Sequence, residues 1–597
     1  MTPLTPQLLA SVAVAIGHDV NPVNGSIALT WNPSGQPRIY LLPREGGEPR
    51  PLVSDKSQFP SWAHDGTRLV YLQDLGGSEA ADVMLLDTES GEPRNLTEDE
   101  HVYTWPRFAP DGRLAAVSNR EGDFDPYLLD TERGAATRLA EGGRAASSLA
   151  WSPDGRYLGL IRMGEADEQG NMQSTLHLID TRRGEGRDLG PLGGDQWHSD
   201  WSWQATPDGL FLCVPSDVGE YQELLLVALE GERETLPLST VGDKMQPQWS
   251  PDGTRLLYIH ETQSDRRLRL WDARDGSDHD LSVADGVHDQ PRWAPDGESL
   301  TVLFQCATRP PELWHVTPGG EAERLTNALT GDFPSDALTP NERVSFGTWD
   351  GLEINALLYT PREANGAAVI YVHGGPTASF RNGWDTDVQL LASWGYTVLA
   401  PNVRGSTGFG KTFRDLNRHD WGGGDLRDLE AANDFLRQRG FERIGVMGGS
   451  YGGYLTLMAL TKQPKLWTAG AALFPIANLV TLYESSRPAD LRPYLTDQIG
   501  TPEERPDFFD DRSPSNFVEQ VEAPLLLLQG ENDIRTPLSE AQEMARRLAA
   551  AGKEHELHIY PNEGHGFQLR ENRENSLQRV LDWFNRYLKN RAEVRDD

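Results

Sequence analysis

The chain has 597 residues, 38% of them hydrophobic, and a formal charge of −35 at neutral pH. That length is too great for one core and is expected to divide into two or more domains, while the negative charge opposes nucleic acid and anionic membranes, whose phosphates would repel it. The longest apolar runs, such as the four leucines at 525–528, have the length of a strand and not of a membrane span. No basic region precedes the apolar stretch at 8–16, so the start does not read as a secretory signal. The two cysteines, Cys213 and Cys306, form no framework. They read as small buried residues in a reducing compartment, and a cytoplasmic protein is expected.

From residue 31 onward one phrase recurs, an aromatic residue followed by a Pro-Asp-Gly or similar turn. It begins at Trp31, Trp62, Phe108, Trp151, Trp203, Trp249 and Trp293, at spacings of 31, 46, 43, 52, 46 and 44 residues. Each copy reads as the turn of a hairpin, with an apolar run after it, as in Leu69-Val70-Tyr71 and Leu256-Leu257-Tyr258-Ile259. A period near 45 residues with about four short strands per unit is the mark of a β-propeller, and seven copies predict seven blades. The tryptophans are expected to pack blades together. The histidines here (His101, His177, His198, His260 and His288) have no metal-ligand spacing.

Near Asp332 the repeats stop. Residues 345–360 read as a hairpin turning at Trp349-Asp350-Gly351, and from 367 the pattern alternates strand, loop and helix. Strands are expected at 368–372, 397–400, 444–447, 469–474, 525–529 and 556–560. Helices are expected at 388–394, 426–439, 537–551 and 576–588. This predicts a mainly parallel sheet with helices on both faces, and a serine, an acid and a histidine that follow in that order beyond its strands are the arrangement expected of an α/β-hydrolase. The expected division is an extension at 1–20, a seven-bladed propeller at 21–335 and a catalytic domain at 336–597.

Candidate chemistry lies at the carboxyl ends of those strands, where loops converge. Gly448-Gly449-Ser450-Tyr451-Gly452 fits G-x-S-x-G between a strand and a helix. A serine hydroxyl needs an imidazole to take its proton during attack, and an acid to orient that imidazole. His565, between two glycines after the strand at 556, is the candidate base, and Asp533, after the strand at 525, the candidate acid. Glu531 is a rival acid, and His555 and His558 are rival bases on or beside a strand. The main-chain N–H of Tyr451 can face a developing oxyanion. The segment His373-Gly374-Gly375-Pro376 supplies a second donor, assigned to Gly375. A competing pattern, Gly405 to Thr412, satisfies G-x-x-x-x-G-K-[ST]. Four residues separate it from its strand and only a brief helix follows, so it is read as a structural turn lining the catalytic cleft and not as a phosphate loop.

Taken together these residues resemble the prolyl oligopeptidase family of serine peptidases. The resemblance is carried by the segments 373–376, 402–410, 448–453, 530–537 and 563–567, and its elbow is similar to that of the acylaminoacyl-peptidase branch. It implies a propeller over the mouth of an α/β-hydrolase domain, with Ser450, Asp533 and His565 as triad and Gly375 and Tyr451 as oxyanion donors. It implies that Arg535 hydrogen-bonds a substrate carbonyl; the bland alternative is an ion pair with Glu531 or another acid. It also implies that the first residues pack on the catalytic domain, and that 476–516, with Tyr483, Arg487, Arg492, Tyr494 and Phe508, wall the specificity pocket. No metal or cofactor is implied. Short peptides, N-acylated or free, are the expected partners, and a homo-oligomer is compatible with the sequence. An aminopeptidase, a carboxypeptidase or an esterase could use the same triad, and a partner-docking propeller with an inert catalytic domain is the reading from a different class.

Overall fold

The computed structural model describes residues 2–589 except 45, 75, 141–144, 167–171, 195–199 and 487–490, so His198 and Arg487 lie outside the described residues. Each aromatic–turn phrase forms a hairpin. In the second unit Trp62 pairs with Leu69, Gly66 takes φ 70° and its N–H reaches Ala63 O at 2.9 Å. Asp65 Oδ1 accepts from Thr67 N at 2.9 Å. Glycine tolerates the left-handed backbone and the carboxylate closes the turn, which is why Asp-Gly recurs.

The strands run in meander order. Five four-stranded antiparallel sheets span 15–51, 58–95, 103–138, 146–193 and 202–235, and 243–324 form an eight-stranded sheet whose two four-strand runs meet at one parallel bridge, Arg266 to Val287. Three of the repeat tryptophans tie successive units. The Nε1 of Trp151 donates to Arg107 O at 3.1 Å, that of Trp203 to Ala150 O at 3.3 Å and that of Trp293 to Gln248 O at 3.0 Å. In every case the acceptor is the residue just before the preceding unit's aromatic position.

The first and last sheets of the repeats also meet. Ala15, Ile27, Leu29 and Leu42 form one apolar cluster with Leu303 and Leu313. His18 Nε2 lies 2.8 Å from Thr301 Oγ1, and Gln290 Nε2 donates to Ile16 O at 3.2 Å. The first sheet thus begins at Ala15, inside the stretch expected as an extension, because 15–20 pair with Ile27–Trp31. Ahead of it, Pro6–Ala10 form a short helix with Thr5 Oγ1 capping Leu8 N at 3.2 Å and proline at the first position. Leu4, Leu9 and Ala10 are buried with Val580, Trp583 and Phe584 of the last helix. Cys213 is buried and Cys306 half-buried, and both are free thiols.

Residues 341–560 build one mixed eight-stranded sheet. The hairpin Asn341–Gly347 and Glu353–Tyr359 forms one edge, antiparallel, and the other six strands are parallel. Their side chains alternate between two cores. Ile370, Val446, Leu525 and Leu527 face the helices Gly424–Gln438, Tyr451–Lys462 and Leu538–Ala550. Val369, Met447, Leu526 and Leu528 face Thr386–Ser393 and Arg570–Leu588. Both faces are covered, which is what a continuous apolar strand sequence requires. Ala367–Val372 pairs with Thr397–Asn402 on one side and Arg443–Gly449 on the other, so the chain order reverses there. A crevice forms beyond the carboxyl ends of strands at such a point. No helix among the described residues is long and apolar enough to cross a membrane.

Burial pushes the pKa of His18 down to about 3 and that of His288 to about 4, from an ordinary 6.5. Both stay neutral when folded and take up a proton below about 6.5 once unfolded. Stability is therefore complete above that pH and falls as pH drops from it toward the folded values. Denaturant midpoints measured from about pH 7.5 down to about 4.5 should decline, and His18→Gln should make that decline shallower. An unchanged slope in the variant would show that His18 is charged in the folded chain.

Candidate active site

The strand Arg443–Gly449 runs directly into Ser450, and the helix Tyr451–Lys462 starts at the next residue. Ser450 has φ 58° and ψ −120°, a left-handed conformation unusual for a residue with a side chain. Close packing leaves no room for side chains beside it. A Cβ on Gly452 would lie 2.1 Å from Val372 O, and one on Gly448 would lie 2.6 Å from the same oxygen. Ser450 N donates to Leu473 O at 2.9 Å and Tyr454 N to Ser450 O at 2.9 Å, so the turn is tied to the sheet on one side and to the helix on the other.

The loop after Leu525–Gly530 brings Asp533, and the loop after His555–Tyr560 brings His565. His565 Nε2 lies 2.9 Å from Ser450 Oγ, and its Nδ1 lies 2.8 Å from Asp533 Oδ2. The Asp533 carboxylate is fully buried and accepts four further bonds. Oδ1 takes Arg535 N at 2.9 Å and Thr536 N at 3.0 Å; Oδ2 takes Thr536 Oγ1 at 2.9 Å and Gln529 Nε2 at 3.1 Å. Those donors hold the carboxylate against Nδ1, and with Nδ1 protonated Nε2 is left as the acceptor toward Ser450. The edge of the Phe474 ring meets His565 with centroids 4.9 Å apart. The rivals are elsewhere. His555 Nδ1 bonds Lys553 O, and His558 pairs with Glu556 at 3.1 Å and meets Arg579. Glu531 N donates to Tyr560 O while its side chain is exposed.

Tyr451 is the first residue of the helix, so its N–H has no partner within that helix. On the opposite wall Gly374 approaches Ser450 so closely that a Cβ would sit 3.4 Å from the serine Cβ. Gly375, at φ 122°, lines the same cavity. His373 plays another part. Its Nε2 lies 2.8 Å from Ser406 Oγ, which itself donates to Val403 O at 2.6 Å, and burial pushes the imidazole down to about 4. It is a neutral brace beneath the glycines.

Ser450, His565 and Gly375 open into a cavity of about 1240 Å³ between the two halves of the chain. Phe59, Val102 and Phe124 come from the repeats; Trp421, Phe474, Ile476, Leu482, Leu491, Tyr494 and Leu495 come from the sheet's loops and helices. Of the side chains expected on this wall, Tyr494 lines it. Tyr483 turns instead to Phe509 and Thr496, Arg492 bonds carbonyls at 483, 484 and 486, and Phe508 stacks under Arg505. The helical spacing of Leu491 and Leu495 marks the face that does reach the cavity.

Arg535 also lines the cavity, and its Nε donates to Glu79 of the second repeat unit at 2.6 Å. The partner acid is thus supplied by the repeats and not by Glu531. The glycine-lysine pattern at 405–412 does not line the cavity. It is a docking turn: Gly408 O accepts from Gln263 N at 2.8 Å, Thr412 Oγ1 donates to Glu220 at 2.6 Å, and Lys411 pairs with Asp415. Its helix, Lys411–Asp415, has five residues.

Residues 382–591 match the model of the prolyl oligopeptidase family. The chain is 25% identical to an uncharacterized peptidase, YuxL, of Bacillus subtilis (strain 168), over 92% of its own length and 93% of that protein. It is 26% identical to the acylamino-acid-releasing enzyme of Rattus norvegicus, over 57% of its length and half of that enzyme's. A puromycin-hydrolyzing peptidase of Mycobacterium tuberculosis superposes with a TM-score of 0.84, covering 98% of this chain and 96% of that one, and at 21% identity this likeness is one of fold. The matched segment, which contains the elbow and both strand-end loops that meet it, belongs to the prolyl oligopeptidase family of serine peptidases.

Proposed function

We propose that this chain hydrolyses short peptides through an acyl-enzyme, in the manner of acylaminoacyl peptidases, with Ser450, His565 and Asp533 as its triad. The observation that carries this reading is the unbroken hydrogen-bonded run from Ser450 Oγ through His565 to Asp533, opening into the cavity between the halves. Ser450 Oγ attacks the peptide carbonyl while His565 Nε2 takes its proton, and Asp533 stabilises the imidazolium that results. The tetrahedral oxyanion receives the N–H groups of Tyr451 and Gly375. The proton passes from His565 to the leaving amine as the C–N bond breaks. Water then attacks the ester, giving its proton to His565, and Ser450 is released.

In the same reading the seven four-strand runs are the blades of a closed propeller over the catalytic domain. That is supported by the tryptophan ties between units and by the packing of the first sheet on the last. The cavity then admits chains of a few residues and excludes folded proteins. The domain limits become a tether at 1–14, a propeller from 15 to about 335, and the catalytic domain beyond. A cytoplasmic location fits the free thiols.

Ser450→Ala should lower kcat by roughly 10⁶-fold and abolish labelling by an organophosphonate; retained turnover sinks the mechanism. Against a panel of N-acylated, free-amino and free-carboxyl peptides and simple esters, acylated peptides should be turned over best, and a chain active on esters alone would be an esterase. Arg535→Ala should raise KM roughly ten-fold through loss of a charged hydrogen bond to substrate. It should leave Tm nearly unchanged, because an exposed ion pair is worth about 0–1 kcal/mol. If KM does not move, the Glu79 pair is the whole role of Arg535.

A further inference from the structure

Behind the elbow lies a polar assembly that the acyl-transfer chemistry does not itself use. The Tyr451 side chain is buried, and its ring meets Trp421 edge-on with centroids 4.8 Å apart. Its hydroxyl donates to Asp425 Oδ2 and accepts from Asn417 Nδ2 at 3.0 Å. Asp425 belongs to the first turn of the helix Gly424–Gln438 and is fully buried. Its Oδ1 accepts from Leu426 N at 2.7 Å and its Oδ2 from Gly422 N at 3.3 Å. None of the three donors to Asp425 is a cation. The next acid on that helix, Asp428, is by contrast paired with Arg404 at 2.8 Å.

A buried carboxyl without a cation costs stability, and an apolar pair of equal volume would suit the surrounding core better. What such a group supplies is direction: both of its oxygens are held by main-chain N–H groups, so the phenol meets a fixed acceptor. Burial also lifts the Tyr451 phenol well above its ordinary range, which keeps it protonated and makes it the donor. Tyr451 is thereby held at both ends. Its main chain is clamped between the left-handed Ser450 and the close contact of Gly452 with Val372, and its side chain ends on a second helix.

We propose that Asp425 is a positioning residue for acyl transfer, fixing through the Tyr451 phenol the main-chain N–H that meets the substrate oxyanion. This rests on the reading of Ser450 as nucleophile. The N–H direction is set by rotation about the bonds on either side of that peptide, and a phenol tied to Asp425 resists such rotation. A displacement of about 1 Å at a reacting centre can cost on the order of 10²-fold in rate.

The test compares Tyr451→Phe, Asp425→Asn and the double variant, each verified as folded by its thermal transition. The two single variants should lower kcat about ten-fold with KM unchanged, and the double variant should be no worse than the more affected single one, since both cut the same link. The inhibition constant of a peptide aldehyde, whose adduct with Ser450 carries the oxyanion, should rise in step with the loss in kcat. A merely structural role would lower Tm and move neither ratio. Additive losses, a KM that rises as far as kcat falls, or unchanged aldehyde binding would overturn the proposal. If Asp425→Asn fails to fold, a folded Tyr451→Phe with full kcat still overturns it. Turnover surviving in Ser450→Ala would instead remove the reading beneath it, and the two failures are distinguishable.

Discussion

The helix Tyr451–Lys462 begins against the carboxyl end of the strand Ala367–Val372 with no space for a side chain between them, and the rest of the site takes its position from that contact. Val372 O occupies the place where a Cβ on either Gly448 or Gly452 would fall. The closeness turns the backbone sharply enough to put Ser450 at φ 58°, and the strain is held by bonds to Leu473 on one side and Tyr454 on the other. It also brings Gly374 against the serine, so both candidate oxyanion donors come from segments that the sheet holds rigidly. A site built on strand ends and a helix start is more exact than one built on free loops.

The two loops that complete the site are shaped by the repeats as well as by the sheet. A Cβ on Gly564, the neighbour of His565, would lie 1.9 Å from Gly77 O. Asn532, the neighbour of Asp533, donates through its side chain to Gly76 O at 2.7 Å. The same turn of the second unit carries Glu79 to Arg535. On the far side of the cavity the turn at 405–412 and Arg381 grip Glu220, Gln263 and Glu261. The repeat half is therefore part of the frame that holds the histidine and aspartate loops, as well as one wall of the cavity.

Buried charges in this half are met either by an opposite charge or by several neutral donors. Arg404 is held by Asp428 and Asp350, and burial of that group is offset by three charge-assisted bonds to Asp428 and two to Asp350. The Asp533 carboxylate is satisfied by four neutral donors besides the imidazole, which leaves its charge available to His565. Asp425 has a phenol among its neutral partners, and its carboxyl is pushed up to about 7 by burial.

Much was legible in the residues themselves because it rests on local chemistry. Asp-Gly turns after an aromatic residue announce hairpins at their period, and a serine between glycines at a strand end announces the elbow. His565 and Asp533 could be selected over His555, His558 and Glu531 because loop residues beyond strands reach farther than residues within them. What lay beyond the sequence are the relations between segments far apart in the chain. Phe59, Trp105, Ser148, Gln246 and Gln290 all take positive φ three residues before a repeat aromatic, although none is glycine or asparagine. A bulge in the ladder of each unit imposes that conformation, and nothing local marks it. The start of the first sheet at Ala15 depends on a partner strand, the direction of Tyr483 on Phe509, and the partner of Arg535 on a turn some 450 residues earlier. The sequence by itself determined the turns, the periodicity and the chain order of the candidate site residues, since each is set by neighbours along the backbone. Only the tertiary structure decided which wall each side chain joins and what lies behind the elbow, because those depend on distances that close when remote strands come into register.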